Sequence, residues 1–153
     1  MPARLALKMK ILGLDLATIT GWAVSDGSSG IFSIAPRKGE SVGVRYLTLR
    51  KRLNAIIEKH QDLKLVGYEH PLLRGYSSTY AAGYTAVVQE WCANHGLECA
   101  FVWPSELKKF VTGSGNASKE DVIAAVQMRG FTPVDDNEAD AISVMLWAQD
   151  KFV

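Results

Sequence analysis

The sequence has very little cysteine and no long hydrophobic run. Its two cysteines, Cys92 and Cys99, do not have the spacing of a zinc site, so we expect free thiols in a reducing compartment. No apolar stretch approaches the roughly 20 residues that a membrane-spanning helix needs. The first ten residues are basic and mixed, without the apolar centre of a signal peptide. These absences argue against a disulfide scaffold or a membrane span, and they predict a cytoplasmic protein.

Net charge is also small, at +1, but the charges are unevenly distributed. Residues 37–59 contain seven basic side chains and two acids, whereas residues 135–140 contain four acids and no base. A basic stretch beside an acidic segment fits a polyanion held near a metal site. For the basic stretch alone, solvated helix faces are an equally good interpretation. With 153 residues, of which 48% are apolar, we expect one domain spanning residues 1–153 with a substantial core.

The segment around Asp15 is the most informative part of the sequence. An apolar run from Lys10 ends at this acid, two threonines and a glycine follow, and a second apolar run begins at Trp22. This pattern predicts a strand, a tight turn and a returning strand. Burying an unpaired carboxylate costs several kcal/mol. Asp15 should therefore face a cation, a hydrogen-bond network or an open cleft.

The remaining patterns predict an α/β fold with the element order βββαβαβα and a helical insertion before the last helix. We expect a five-stranded mixed sheet, in which three strands are antiparallel and two are parallel, flanked by helices. Ser41 is the expected N-cap of the first helix, and Ser118 with Asp121 resembles a capping box. The predicted strands cover residues 9–15, 20–25, 31–35, 63–69 and 98–103. The predicted helices cover 41–60, 79–95, 105–111, the segment from Ser118 to Gly130, and a last segment after Pro133.

Three acids stand at the edges of apolar elements. Asp15 and Glu69 end predicted strands, and Asp140 begins the last predicted helix. Because a helix connects the first and fourth strands, these strands can lie parallel and adjacent, with their two carboxylates side by side. Three neighbouring carboxylates repel one another unless a cation joins them. Their oxygen atoms favour Mg²⁺ or Mn²⁺, and two such ions roughly 4 Å apart can support phosphodiester hydrolysis.

Several motifs together resemble the RuvC family of Holliday-junction resolvases, which belongs to the RNase H-like nuclease superfamily. The resemblance covers nearly the whole chain. Gly13-Leu14-Asp15 through Val24 is similar to the first family motif, Val66-Gly67-Tyr68-Glu69 to the second, and Glu138-Ala139-Asp140-Ala141 to the last. The segment from Leu107 to Lys119 also resembles the family.

The resemblance implies an RNase H-like fold and a homodimer that nicks opposed strands of a four-way DNA junction. It implies Mg²⁺ as cofactor, replaceable by Mn²⁺, with two ions in each active site. Asp15, Glu69 and Asp140 correspond to metal ligands. The family places Asp or His three residues before the last acid, and here that position is Asn137, whose amide carries no charge. Asp136 is the alternative, although adjacent residues differ by about 100° around a helix.

The resemblance also assigns roles to basic residues. Lys108 and Lys119 match lysines that serve DNA binding and catalysis, and Lys109 adds a neighbouring charge. Lys119 lies near a predicted helix start, where backbone N–H groups favour phosphate and where a cation can stabilise charge on the reacting phosphate. Taken alone, each lysine is more typical of an exposed solubilising charge.

The loop that follows Glu69 offers charge and stacking surface for DNA, chiefly through Arg74 and Tyr76. The family places a wedge-like side chain in this loop, so Leu72 or Leu73 either plays that part or packs beneath the loop. His70 should point to the sheet face opposite Glu69 by strand alternation, which argues against a catalytic histidine. The four tryptophans lie in apolar runs, which is typical of core residues or dimer contacts.

Three other functions remain open from the sequence. An actin-like kinase or ATPase also has a strand, an Asp and a Gly/Thr turn, although such proteins need two lobes. A junction-binding protein with a weakened active site is compatible with Asn137. Another RNase H-like nuclease, acting on RNA or RNA–DNA hybrids, would share the three acids. The segment from Lys108 to Lys119 favours the resolvase. We expect such a protein to act in the cytoplasm of a bacterial cell, or as a phage protein in the cytoplasm of its host.

Overall fold

The computed structural model describes residues 9–71 and 78–153. Within these residues a single sheet contains five strands: β1 (Lys10–Asp15), β2 (Ile19–Val24), β3 (Ser29–Ser33), β4 (Leu63–Glu69) and β5 (Glu98–Val102). Their order in the sheet is β3-β2-β1-β4-β5. The β1–β2 and β2–β3 pairs are antiparallel, and the β1–β4 and β4–β5 pairs are parallel. The predicted mixed sheet is therefore confirmed.

Helices cover both faces of this sheet and divide the core into two clusters. The helices are α1 (Val44–Lys59), α2 (Ser78–Asn94), α3 (Pro104–Thr112), α4 (Lys119–Met128) and α5 (Asp136–Phe152). One cluster contains Leu12, Leu14 and Val66 under α1 and α2, and the other contains Ile11, Leu65 and Val102 under α3, α4 and α5. Strand residues alternate between the two clusters because successive side chains point to opposite faces.

The structure corrects two predicted boundaries and confirms one predicted cap. Ser41 is not the N-cap of α1: residues 41–43 form a turn, Gly43 occupies the cap, and no side chain caps this helix. The third strand is Ser29–Ser33 instead of residues 31–35, because its pairing with β2 extends back to Ser29 opposite Ala23. Ser118 and Asp121 form the expected capping box at α4, with reciprocal hydrogen bonds of 3.1 Å.

Glycines let α5 approach the sheet closely enough to reach the carboxyl ends of its strands. A Cβ added at Gly13 would lie 2.5 Å from the Ala141 carbonyl oxygen and from the Met145 nitrogen. A Cβ at Gly21 would lie 2.0 Å from the Asn137 carbonyl oxygen. The backbone of α5 therefore rests directly on β1 and β2, which places the start of the helix beside Asp15.

No helix in the two described ranges has both the length and the apolar character needed to cross a membrane.

The contact between Gly13 and α5 predicts a large effect of a single methyl group. Gly13→Ala must push the α5 backbone away, and we expect a loss of about 3 kcal/mol or more in the free energy of unfolding. Gly67→Ala is the matched control on the neighbouring strand, because its Cβ meets the Val144 side chain at 3.2 Å, and that side chain can adjust. Urea denaturation measures both variants. Equal stabilities for the two would contradict the close approach of α5.

Candidate active site

The structure brings Asp15 and Glu69 to adjacent ends of the two central strands. Leu14 pairs with Tyr68 in the parallel β1–β4 ladder, so the acids that follow these residues leave the sheet side by side. The turn after Asp15 is fixed by buried Thr20, whose hydroxyl donates a 2.7 Å hydrogen bond to the Ala17 carbonyl. The predicted adjacency of the first two acids is therefore present in the fold.

Asp140 lies on the second turn of α5, over the same end of the sheet. With Glu69 it lines a cavity of about 190 Å³, to which Lys108 and Lys119 also contribute. Three elements that are far apart in sequence thus meet here: the end of β4, the start of α5, and the α3–α4 pair. The cavity has the mixed charge that a phosphate and its counter-ions would need.

Burial raises the pKa values of all three acids, and neighbouring carboxylates add to the shift at Asp15 and Asp140. Burial is the largest cause for Asp15, whose pKa lies well above its usual value, and the charges of Asp140, Glu69 and Asp136 add to it. Burial also raises the pKa of Glu69, which nearby Lys108 opposes. The pKa of Asp140 rises to about 7, because of burial first and then of Glu69 and Asp136. Burial and like charge thus both disfavour the ionised acids in this site.

Two acids at the start of α5, Asp135 and Glu138, stabilise the fold. Asp135 is the N-cap, and it accepts hydrogen bonds from the Glu138 backbone at 2.8 Å and from the Asn137 amide at 3.0 Å. Glu138 is 5% exposed and ties α5 to β3: it accepts 2.6 Å and 2.9 Å bonds from the Ser29 hydroxyl and the Val134 N–H. Glu138 is thus a structural carboxylate.

Asp136, not Asn137, brings a fourth charge to the other acids. Its charge contributes to the raised pKa values of both Asp15 and Asp140, and its carboxylate lies 3.3 Å from the Lys119 ammonium. The Asn137 amide nitrogen instead donates to Asp135 within the helix cap. The family resemblance had suggested Asn137 from its spacing to Asp140, with Asp136 as the alternative.

The three predicted lysines have different positions. Lys108 is half-buried and lines the cavity with Glu69 and Asp140. Lys119 begins α4 and reaches the same cavity while its side chain stays 77% exposed. Lys109 faces away from the acids, and it lines a separate cavity with Glu106, Phe110 and Trp147. Lys108 and Lys119 therefore lie beside the carboxylates, whereas Lys109 does not.

Four predicted DNA contacts lie outside the described residues: Arg74 and Tyr76, and the two wedge candidates, Leu72 and Leu73. His70, directly after Glu69, does lie within them. Its ring stacks on Trp103 at 4.3 Å and on Phe101 at 5.2 Å between centroids, on the sheet face away from Glu69. This agrees with the predicted strand alternation. Trp103 is 52% exposed, so of the two predicted roles for the tryptophans, core residue or dimer contact, only the core role is excluded at this position.

Ser143 is a cavity residue that the sequence reasoning missed. It is fully buried one turn after Asp140, and its hydroxyl donates a 2.8 Å hydrogen bond to the Ala139 carbonyl. Its spacing of three residues from Asp140 on a helix was the available signal, because such residues share a face. Ser143 keeps the wall beneath the acids polar without adding charge.

The donor chemistry of this site fits a divalent cation. The acids offer hard oxygen ligands, and the pKa values of Asp15 and Asp140 are raised by burial first and then by neighbouring carboxylates, an effect that a bound cation would oppose. Within residues 9–71 and 78–153, no group of three His, Cys, Asp or Glu side chains has an arrangement that could hold a metal ion as it stands. The charges of Glu69 and Asp140 influence the ionisation of Asp15, but the three side chains are not arranged as a ligand set.

Comparison with known proteins gives a consistent group of relatives, although no family model matches the chain. The chain is 30% identical over 150 residues to the crossover junction endodeoxyribonuclease RuvC of Dehalococcoides mccartyi, covering 90% of each protein. It is 28% identical to the Ruegeria pomeroyi protein of the same name, covering 90% of this chain and 89% of that protein. It is 30% identical to the Synechococcus protein of that name, covering 92% of this chain and 99% of that protein.

Solved structures show the same fold. The structure of Thermus thermophilus RuvC superposes with a TM-score of 0.73 at 21% identity, covering 90% of this chain and 92% of that chain. The structure of T. thermophilus RuvC in complex with a Holliday junction substrate gives a TM-score of 0.74 at 20% identity, covering 93% and 96%. The mixed sheet and its flanking helices are therefore of the expected RNase H-like type.

The raised pKa of Asp140 predicts that this residue destabilises the fold at neutral pH. Its pKa in the folded state, about 7, exceeds the usual value of 3.8, so the folded protein binds the extra proton between these pH values. Stability should therefore fall as pH rises through that range. Asp140→Asn removes this cost, and in EDTA at pH 8 we expect stabilisation of about 1–3 kcal/mol, or roughly 3–8 °C in Tm.

Thermal unfolding followed by circular dichroism checks this prediction at pH 8 and pH 5, and the difference should shrink at the lower pH. Asp150→Asn is the matched control, because Asp150 is exposed on the same helix and its replacement should leave Tm unchanged. An Asp140→Asn variant that melts at or below the wild-type temperature at pH 8 would contradict the electrostatic cost.

Proposed function

This chain belongs to the RuvC family of crossover junction endodeoxyribonucleases, and on that basis we propose that it cuts four-way DNA junctions by hydrolysing phosphodiester bonds. The observation that carries the proposal is the meeting of Asp15, Glu69 and Asp140 at one end of the sheet, beside Lys108 and Lys119. The names of the sequence relatives supply the reaction class. The junction complex of the Thermus protein, which has the same fold, supports branched DNA as the substrate.

We propose Mg²⁺ as the cofactor, with Mn²⁺ as a substitute and two ions in each site. Asp15, Glu69 and Asp140 would hold them, and Asp136 is better placed than Asn137 to complete the set, because it adds charge to the site. When bound, such ions lower the pKa of a coordinated water and neutralise charge on the phosphate. The raised pKa values of the acids support this assignment, since a cation would relieve their mutual repulsion.

The lysines are proposed to hold the DNA phosphate at the carboxylates. Lys108 reaches the acids from α3, and Lys119 reaches them from the first residue of α4, where free backbone N–H groups add positive potential. Exposed Lys119 pairs with half-buried Asp136 at 3.3 Å, an interaction weak enough to give way to a phosphate. Water attacks the phosphate directly in this scheme, and no covalent intermediate forms with the protein.

We also propose that the protein acts as a homodimer, because a four-way junction must be cut in two opposed strands. Two exposed aromatic side chains on the edge strand and just after it, Phe101 at 45% and Trp103 at 52%, offer an apolar surface for a second copy. One nuclease domain in each copy, working in the cytoplasm of a bacterial cell or of a phage-infected host, is the simplest arrangement. The bacterial relatives support this location.

The alternative of a junction-binding protein without activity was suggested by Asn137. The position of Asp136 weakens that alternative. Although Asn137 is neutral, the neighbouring Asp136 carboxylate lies close enough to raise the pKa of Asp140. Cleavage of RNA or RNA–DNA hybrids remains the second candidate, because the same acids would serve it. Substrate tests separate the two activities.

We expect the wild-type protein to place paired nicks in opposed strands of a labelled four-way junction when Mg²⁺ is present. A matched linear duplex and an RNA–DNA hybrid should remain uncut, and EDTA should abolish cutting. Asp15→Asn and Glu69→Gln should reduce cleavage at least about 100-fold while junction binding stays within about threefold, because each removes a charge needed for the reaction. Denaturing gels and mobility shifts provide the two readouts.

Asp150→Asn is the control for these variants, since it removes an exposed carboxylate far along α5. Full activity in Asp15→Asn or Glu69→Gln would contradict the assigned site. Cleavage of the hybrid in preference to the junction would replace the proposed substrate with the second candidate.

A further inference from the structure

A second cavity opens on the other side of the carboxylates from Lys108 and Lys119. Its volume is about 310 Å³, and residues 16–18, directly after Asp15, form one wall. Pro71, two residues after Glu69, forms another. Arg45 from the first turn of α1, and Tyr80, Ala81 and Tyr84 from the first two turns of α2, complete the lining. The cavity thus adjoins both strand-end acids and contains one cationic side chain.

The Arg45 guanidinium is held in place by three neighbours. Its Nη1 donates a 2.8 Å hydrogen bond to the Tyr84 hydroxyl and lies 3.5 Å from the Thr18 hydroxyl. Its Cζ lies 4.2 Å above the centre of the Tyr80 ring. An arginine stacked on an aromatic ring loses little further entropy when it binds a ligand. Arg45 is therefore pre-organised at the cavity.

No carboxylate in the described part of the chain neutralises this cation. The ion pairs there involve other bases: Arg50 with Glu90 at 2.8 Å, Lys10 with Asp62, His60 with Asp26, and Lys119 with Asp136. The Arg45 Nε is buried and has no hydrogen-bond partner among the residues that the structure describes. Neutral hydroxyls position the guanidinium but leave its charge available. Such an arrangement suits an anion, and the planar fork of arginine suits phosphate oxygens in particular.

Both sides of the active site carry positively charged side chains. Lys108 and Lys119 stand beside Glu69 and Asp140 on the side of α3 and α4, and Arg45 stands beside the Asp15 turn on the side of α1 and α2. A DNA strand that crosses the carboxyl end of the sheet, with one phosphate at the acids, carries its next phosphates to both sides. Contacts of this kind position a strand without reading its bases.

We propose that Arg45 binds a backbone phosphate of the cut strand, in the cavity between the Asp15 turn, Tyr80 and Tyr84. This inference rests on the proposed nuclease function and adds a binding residue to it. Arg45 also ties α1 to α2 and to the β1–β2 turn, so a purely structural role is the competing explanation. The two roles differ in their dependence on charge and on salt.

The test is equilibrium binding of a fluorescent four-way junction in EDTA over a salt series, measured by anisotropy. Arg45→Gln should weaken binding about 5- to 10-fold near 100 mM salt and reduce the slope of log K against log salt by about 1. Arg45→Lys keeps the charge, so it should retain the wild-type slope and most of the affinity. Lys51→Gln removes an exposed charge from the same helix and should change affinity less than about twofold.

Thermal unfolding of each variant separates the two roles. Arg45→Gln and Arg45→Lys both lose the fork that bonds Tyr84 and Thr18, so their Tm values should fall by similar amounts. A structural role alone would make Arg45→Lys bind as weakly as Arg45→Gln, and that result would overturn the proposal. An unchanged salt slope in Arg45→Gln would overturn it as well.

A second pair of variants keeps the test decisive if Arg45→Gln does not fold. Thr18 is exposed beside the guanidinium, so Thr18→Glu places a carboxylate against Arg45 without disturbing the α1–α2 contact. Thr18→Glu should bind the junction at least about fivefold more weakly than Thr18→Gln, and equal affinities would overturn the proposal. A wild-type protein that binds no junction would instead refute the proposed function.

Discussion

Repulsion among carboxylates at the end of the two central strands is the constraint around which this fold is arranged. Burial raises the pKa values of Asp15, Glu69 and Asp140, and the charges of neighbouring carboxylates raise those of Asp15 and Asp140 further. Such a cluster opposes folding at neutral pH. It persists because the α5 backbone is packed onto β1 and β2 through Gly13 and Gly21, which fixes the start of that helix over the strand ends. Packing in the core thus offsets the electrostatic cost at the site.

The rest of the site distributes positive charge around these acids without neutralising them. Lys108 and Lys119 approach from one face of the sheet, and Arg45 is held by hydroxyls and an aromatic ring on the other. Around the centre, Asp135 caps α5, and Glu138 ties this helix to β3. A negative centre between two positive flanks is suited to a divalent cation that faces a polyanionic strand.

Much of this arrangement could be predicted from sequence, because it depends on periodicity and on element order. The apolar runs that end at Asp15 and Glu69, with a helix between them, predicted parallel neighbouring strands and adjacent acids, and the structure confirms both. The choice between Asn137 and Asp136 could not be predicted, since it depends on the rotation of α5. Arg45 was one of several basic residues on a helix, and only the packing of α1 on α2 distinguishes it. The apolar surroundings of Trp103 in the sequence left both a core role and a dimer contact open, because the exposure of a residue beside an edge strand cannot be read from local sequence.

The most direct test of whether these carboxylates form a cation site is to measure Mn²⁺ binding to the DNA-free protein. Electron paramagnetic resonance measures this binding at pH 8 and at pH 6. Uncompensated carboxylates should bind Mn²⁺ more tightly at pH 8, because Asp140, with a pKa of about 7, must lose its proton first. Asp15→Asn should weaken this binding at least about tenfold. Binding that is absent at both pH values, or that Asp15→Asn leaves unchanged, would contradict the account.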